Sequence, residues 1–315
     1  MIKPEIRQSI FLVGPTACGK TAVGLCLAEQ IKPDGIGAEI ISLDSMTLWR
    51  EMDIGTAKPT PAERARVPHH LIDVVDPADW FNVGQYVELA SQAAREIIAR
   101  GRAPLFVGGT GLYLKMLITG LFKGPSADWE LRDRLKQIAA DQGVEYLHAQ
   151  LRAVDPVAAG RIHPNDVRRI VRALEVHEKT GRPISELQQE WQAVRTDESP
   201  SILGLNRDRL DLHYRINRRV DQMMADGFLD EVRRLAARPG GMGRAASQAL
   251  GYKELLAHLH GEMPLDAAVE LVKRNTHHFA KRQMTWFRAF PQIVWIEVKP
   301  DDEPDVIAGK IGEKT

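Results

Sequence analysis

Cysteine is almost missing from these 315 residues, with Cys18 and Cys26 the only two. One falls in an expected loop and the other in the helix after it, which excludes a disulfide framework and a cysteine metal site. A reducing, cytoplasmic setting is the expectation. Net charge is missing too, because 42 basic and 42 acidic side chains cancel. Net charge alone therefore gives no support to a nucleic-acid partner, which has to be argued from local clusters. No apolar run approaches spanning length. The run "SIFLV" follows Lys3, Glu5 and Arg7 and stops at a Gly-Pro turn, so neither a membrane span nor a signal peptide is expected. Internal repeats and low-complexity tracts are absent. The remaining composition, 44% hydrophobic and 27% charged, is that of an ordinary globular protein. The length suggests two domains with room for a smaller inserted lobe.

In the first third, short apolar runs alternate with helical patterns. Strands are expected at Ile10 to Val13, Glu39 to Leu43 and in "APLFVGG" (103–109), and helices at Ala22 to Ile31 and Gly84 to Arg100. This alternation predicts an α/β fold with a parallel sheet flanked by helices. From Trp129 to about Trp191 the pattern is helical and polar, with stops at "DQG", "VDP", "HPND" and "KTGRP". "TDESPS" (196–201) reads as a linker. From Leu212 apolar positions recur at helical spacing, broken near Gly227. "RPGGMGRAA" reads as a loop, and Leu265 to Phe290 as a helix introduced by Pro264. The expected division is a phosphate-loop core over 1–123, a helical insertion lobe over 124–200, and C-terminal helices over 201–315 that complete the core.

"GPTACGKT" lies between the first strand and the first helix, so Gly14, Pro15, Thr16, Ala17, Cys18, Gly19, Lys20 and Thr21 have the spacing of a phosphate-cradling loop. In such a loop backbone amides point at one anion, the Lys neutralises charge and the Thr hydroxyl meets Mg2+. The default reading is an ATP-binding kinase or ATPase. Such enzymes place a metal-binding Asp at the end of a second strand, and "APLFV" ends instead in "GGTGLY", which supplies amides and Thr110 but no carboxylate. The carboxylate, Asp44, ends "EIISL". Ligands bind beyond the carboxyl ends of strands in open parallel sheets, so Asp44, Thr110 and the phosphate loop should converge on one crevice.

"GPTACGKT", "DSMTLWREMDIGTAKP", "PHHLIDVVDP", "GGTGLY", "RRIVRALEV", "RINRRVDQMMADG", "SQALGYKE" and "KRQMTWFR", in this order from residue 10 to about 290, resemble the motif series of the tRNA dimethylallyltransferases. The resemblance implies a P-loop NTPase-like sheet domain. It also implies transfer of a dimethylallyl group from dimethylallyl diphosphate to the exocyclic N6 amine of the adenosine next to the anticodon (position 37), with diphosphate as leaving group and Mg2+ at Thr21. Within it Asp44 matches the base that removes the amine proton, and Thr110 and Lys20 are expected at the diphosphate. Arg219 is expected to close on the diphosphate, with Arg215 as alternative. A bidentate guanidinium suits a diphosphate better than an ammonium does.

The expected partner is the anticodon stem-loop of tRNA, bound by a monomer. By resemblance the RNA-facing positions are Asp44, Ser45, Met46, Thr47, Thr110, Arg132, Arg168, Arg169, Arg172, Ser247, Gln248, Gly251, Tyr252, Lys281, Arg282, Gln283, Trp286 and Arg288. Lys273, Arg274, Lys281, Arg282 and Arg288, with Trp286 and Phe287, also form a basic stretch with aromatic neighbours, suited to phosphates and an unstacked base. A base modified within folded RNA must leave its stack, so a tunnel with diphosphate at one mouth and adenine at the other is expected. Three departures stand out: Thr47 replaces the family's usual Gln, Trp49 a Tyr, and Cys18 a Ser. Two other readings stay open, prenyl transfer to a free adenine nucleotide and phosphoryl transfer.

Overall fold

The computed structural model describes residues 2–31, 37–120, 124–192 and 200–312. In chain order the elements begin with α1 (Pro4–Arg7), β1 (Ile10–Val13), α2 (Lys20–Gln30), β2 (Ala38–Ser42), α3 (Pro61–Arg66), β3 (His69–His70), α4 (Val83–Ala99), β4 (Ala103–Gly108) and α5 (Gly111–Thr119). Five helices follow: α6 (Trp129–Gln142), α7 (Val144–Val154), α8 (Pro156–Arg161), α9 (Val167–Thr180) and α10 (Ile184–Gln192). The chain closes with β5 (Ser201–Arg207), α11 (Arg209–Ala225), α12 (Phe228–Ala236), α13 (Tyr252–Leu259), α14 (Leu265–Arg288), β6 (Val294–Val298) and α15 (Pro304–Gly312).

Six strands form one sheet in the order β3-β2-β4-β1-β5-β6, with every pairing parallel. A parallel sheet is covered on both faces, so its central strands read as unbroken apolar runs. Phe11, Leu12 and Val13 of β1 are all buried. On one face Leu12, Leu105 and Leu203 pack with Val23 and Leu27 of α2, Ile216 of α11 and Ile307 of α15. On the other, the rings of Phe11 and Phe106 stack at 4.6 Å, and Tyr86, Ala90, Ala94 and Ile97 of α4 are buried. Each such large side chain contributes about 1.5–3 kcal/mol.

The strand order places a topological switch between β1 and β4. From β1 the chain crosses to β2 on one side, and from β4 it leads eventually to β5 on the other. The loops leaving β1 and β4 therefore diverge at a crevice, which is where such sheets bind ligands. Close approach narrows the crevice: a Cβ on Gly108 would lie 2.2 Å from the carbonyl oxygen of Leu43, so only glycine lets the ends of β4 and β2 meet.

Cα proximity divides the chain into two compact units, residues 119–196 and residues 2–118 with 197–315. The first contains α6 to α10 around Leu131, Leu135, Leu147, Leu151, Ile170 and Leu174. Two buried carboxylates organise it. Asp155 accepts from the Ala158 and Ser185 amides at 2.8 and 2.9 Å and from the Ser185 hydroxyl at 2.6 Å, joining α7, α8 and α10. Glu175, wholly buried, accepts from the Asp128 amide, from Arg132 in bidentate fashion at 2.8 Å, and from Arg172.

The region 201–315 is more than the helices expected from sequence. β5 and β6 lie within it and extend the sheet beyond β1. β5, "SILGLNR", is a short run interrupted by Gly204. That glycine is buried where a Cβ would meet Trp295 at 2.7 Å, so the residue that weakens the strand pattern is the one that lets β6 pack. The linker expected over 196–201 lies at 196–199 outside the described residues, and Ser201 already belongs to β5. Among the described residues no helix is long and apolar enough to cross a membrane.

Candidate active site

The loop after β1 is shaped to expose amides. Gly14, Ala17 and Gly19 take positive φ values of 155, 63 and 104°, and alternating backbone handedness of this kind turns successive N–H groups to one side. α2 has no side-chain cap, so the amides of its first turn keep their capacity for an anion. Lys20 folds back over the loop and donates from Nζ to the Pro15 carbonyl at 2.7 Å. The half-buried Thr21 is the second residue of α2, and among the described residues its hydroxyl has no hydrogen-bond partner. Cys18, fully buried, packs its sulfur under Gly14 and offers nothing to a ligand beyond its backbone.

β2 delivers Asp44 just beyond its carboxyl end. Asp44 Oδ1 accepts from the Met46 amide at 2.8 Å, and among the described residues Oδ2 has no hydrogen-bond partner. Burial pushes this carboxyl above its usual range, against the opposing pull of the Met46 amide and the Lys20 charge. Nearby, Tyr86 and Tyr113 stack at 3.8 Å, and the Tyr86 hydroxyl donates to the Ser42 carbonyl at 2.8 Å. Burial raises both phenols, and Asp44 adds to the rise.

β4 delivers Gly109 and Thr110. The Thr110 amide donates to the Leu43 carbonyl at 3.0 Å, and its hydroxyl accepts from the Ser45 amide at 3.0 Å. Thr110 thus ties the two strand ends together at Asp44. The other face of the crevice is α11, where Arg215 donates to the Ala17 carbonyl at 2.9 Å while Arg219 has no side-chain partner among the described residues. Burial presses both guanidiniums below their usual range. A cavity of about 790 Å³ opens along α11 and meets the phosphate loop at Ala17, with Lys58, Arg64, Asp73, Arg215 and Arg219 in its wall; Asp44, Lys20 and Thr110 do not line it. Lys58, an unforeseen member of the wall, is buried and bonded to Asp53, Asp73 and the Trp49 carbonyl.

The positions expected to face RNA divide into several groups. Ser45 and Met46 are half-buried beside Asp44, whereas Thr47 is buried, with its hydroxyl 2.7 Å from that of Ser42. On α14, Lys281, Arg282, Trp286 and Arg288 are exposed, with Arg282 over Phe279. Lys273 is not part of a free basic face, because it pairs with Asp221 and Glu270. In the helical unit Arg168 is exposed and Arg169 pairs with Asp166. Arg132 and Arg172 are spent on Glu175. Ser247 is half-buried and Gln248 exposed.

Besides Thr47, three positions of the RNA-facing set are buried. Tyr252 is wholly buried, edge-on to Phe228, and donates its hydroxyl to Glu231 at 2.6 Å. Gly251 is buried at its side, where a Cβ would lie 2.8 Å from the Phe228 ring. Glu231, itself buried, accepts the amides of Asp53, Ile54 and Gly55, so these motif residues shape the "DIGT" turn from beneath. Gln283 is buried as well, bonded to Thr16 and Gly109. Their motifs were legible in sequence, but burial is set by contacts between residues far apart in the chain.

The histidines of "PHH" are bound within the fold. His69 meets the Val67 carbonyl and His70 meets Glu39 at 2.6 Å. Arg207, at the end of β5, gave no signal in the sequence. It is buried against Asp211, with Nη2 4.0 Å from where a Cβ on Gly19 would sit.

Residues 47–290 match the family model described as IPP transferase. The tRNA dimethylallyltransferase of Symbiobacterium thermophilum is 50% identical over 291 residues, 92% of this chain and 89% of the relative. That of Geobacter metallireducens is 46% identical over 297 residues, 94% of both chains. Among solved structures, the tRNA isopentenylpyrophosphate transferase of Bacillus halodurans superposes with a TM-score of 0.70 at 40% identity, covering 98% of this chain and 96% of that one. A eukaryotic dimethylallyltransferase acting on tRNA gives a TM-score of 0.76 at 26% identity, covering 96% of this chain and 77% of that one. With the match spanning most of its length and the relatives this close, the chain belongs to the IPP transferase family.

Proposed function

We propose that this protein transfers a dimethylallyl group from dimethylallyl diphosphate to the N6 amine of the adenosine 3′ of the anticodon in tRNA, releasing diphosphate. The observation that carries the reading is the pairing of a phosphate loop after β1 with Asp44 at the end of β2, an ionisable group whose Oδ2 makes no hydrogen bond among the described residues, while the end of the intervening strand β4 holds Gly109 and Thr110 in place of a metal-binding acid.

The diphosphate rests on the amides of residues 14–21, with Lys20 and Arg219 compensating the charge that grows on the departing oxygens. Thr110 supports the diphosphate from the β4 side. Asp44 Oδ2 takes a proton from the adenine N6 as the new N–C bond forms and the C–O bond to diphosphate breaks. An exocyclic amine is a weak nucleophile until that proton leaves, and a carboxyl raised by burial is the stronger base for it. One protein hydroxyl beside substrate phosphates is the kind of donor set Mg2+ accepts, and Thr21 would hold it. The ion, when bound, stabilises negative charge on the leaving oxygens.

Lys281, Arg282, Trp286 and Arg288 of α14 hold RNA backbone and an unstacked base, and the helical unit grips the anticodon stem through Arg168 and Arg169. The protein acts as a monomer in the cytoplasm. Purified protein incubated with dimethylallyl diphosphate, Mg2+ and unmodified tRNA is expected to yield prenylated tRNA. Prenylated AMP without prenylated tRNA would instead favour a free-nucleotide acceptor, and ATP turnover alone a phosphoryl-transfer enzyme.

A further inference from the structure

Gln283 lies in the middle of α14, 6% exposed, and reaches two loops that carry opposite halves of the site. Its Oε1 accepts from the Thr16 amide in the phosphate loop at 2.8 Å, and its Nε2 donates to the Gly109 carbonyl at 2.9 Å. The orientation of the amide is forced, since an N–H must meet the oxygen and a carbonyl must meet the nitrogen. Contact is close enough that a Cβ on Gly109 would sit 2.3 Å from Nε2. Gly109 adjoins Thr110, whose hydroxyl holds the Ser45 amide beside Asp44. An unbroken path therefore runs from the diphosphate cradle through Gln283 to the strand end that bears the base. Two and three residues before and after Gln283, the same helix exposes Lys281 and Trp286.

We propose that Gln283 is a positioning residue: by clamping the phosphate loop to the turn after β4 it fixes the distance between the leaving group and Asp44, without touching tRNA itself. This rests on the prenyl-transfer reading. A side chain that only reads RNA would be exposed and would set tRNA affinity. A clamp is buried, and it sets the chemical step and the hold on diphosphate. The terminal amide is required on both sides, because a carboxylate would turn a second acceptor toward the Gly109 carbonyl.

The test uses the full chain, with Gln283→Leu and Gln283→Glu compared with the parent. Gln283→Leu is expected to lower kcat about tenfold or more with KM for tRNA within about threefold, and to weaken inorganic pyrophosphate binding about tenfold. Gln283→Glu is expected to work while its carboxyl is protonated and can donate to Gly109, and to lose kcat as pH rises, a falling alkaline limb that the parent lacks. Parental kcat in Gln283→Leu, a raised KM for tRNA at unchanged kcat, or a parental pH profile in Gln283→Glu would overturn the clamp. If Gln283→Leu does not fold, the Gln283→Glu profile alone decides. If the parent prenylates no tRNA, the functional reading has failed independently. The clamp is then judged by pyrophosphate affinity, where equal binding by parent and Gln283→Glu at high pH would refute it.

Discussion

Asp44 couples the stability of the fold to pH. Burial raises its carboxyl above the ordinary 3.8, so between that value and its folded pKa the native state binds more protons than the unfolded chain. Its contribution to stability then falls as pH rises through that window. Asp44→Asn keeps the acceptor for the Met46 amide but removes the base. We expect turnover to drop about a hundredfold or more with diphosphate affinity nearly unchanged, and the melting temperature at neutral pH to stay level or rise. In the parent, kcat should rise with pH through the raised Asp44 pKa. Gly55 is a second informative residue, since a Cβ there would lie 2.1 Å from Phe228. Gly55→Ala should cost about 1–3 kcal/mol in chemical denaturation. The placement of Asp44 and Thr110 at neighbouring strand ends was legible from their motifs. The burial of Thr47 and Tyr252 was not, because it depends on Ser42 and on Glu231, 21 residues before Tyr252.

At the scale of elements, α9 and α14 show one helix burying structural contacts on one face and exposing basic side chains on the other. In α9, Glu175 is buried beneath Arg132 and Arg172. Burial pushes its carboxyl up, but the hydrogen bonds from Arg132, the Asp128 amide and Arg172 prevail and hold it below the ordinary 4.5. The stabilisation is therefore present above that value and lost as pH falls through the folded pKa. Glu175→Gln should destabilise the helical unit by about 2–4 kcal/mol, seen as faster amide exchange over residues 124–192 of the full chain. Helices α11 and α14 were readable from their apolar spacing. β5 and β6 were not, since five to seven residues with a glycine or alternating polarity carry too little period to separate a strand from a loop.

For the whole molecule, zero net charge conceals a separation of charge. Among the described residues Lys281, Arg282 and Arg288 carry no ion pairs, whereas Lys273, Arg132 and Arg172 are neutralised at home. The free set should dominate the salt dependence of RNA binding. Arg282→Ala is expected to reduce the slope of log K against log salt by about 0.7–0.9 if it meets a phosphate, whereas Arg132→Ala should act through the stability of the helical unit and leave the slope near parental. Binding titrations at several salt concentrations, paired with melting curves, separate the two.

The linear order of residues determined the phosphate loop, the strand-end acid and hydroxyl, the parallel sheet and the helical stretch after it, because each is written in spacing over a few turns or strand residues. Which polar side chains are open to a ligand was decided only in three dimensions. Thr16, Gly109 and Gln283 are brought together from 174 and 267 positions apart, and no local period encodes a contact of that range. Burial and pairing there turned several residues that look alike in sequence into clamp, strut or exposed cation.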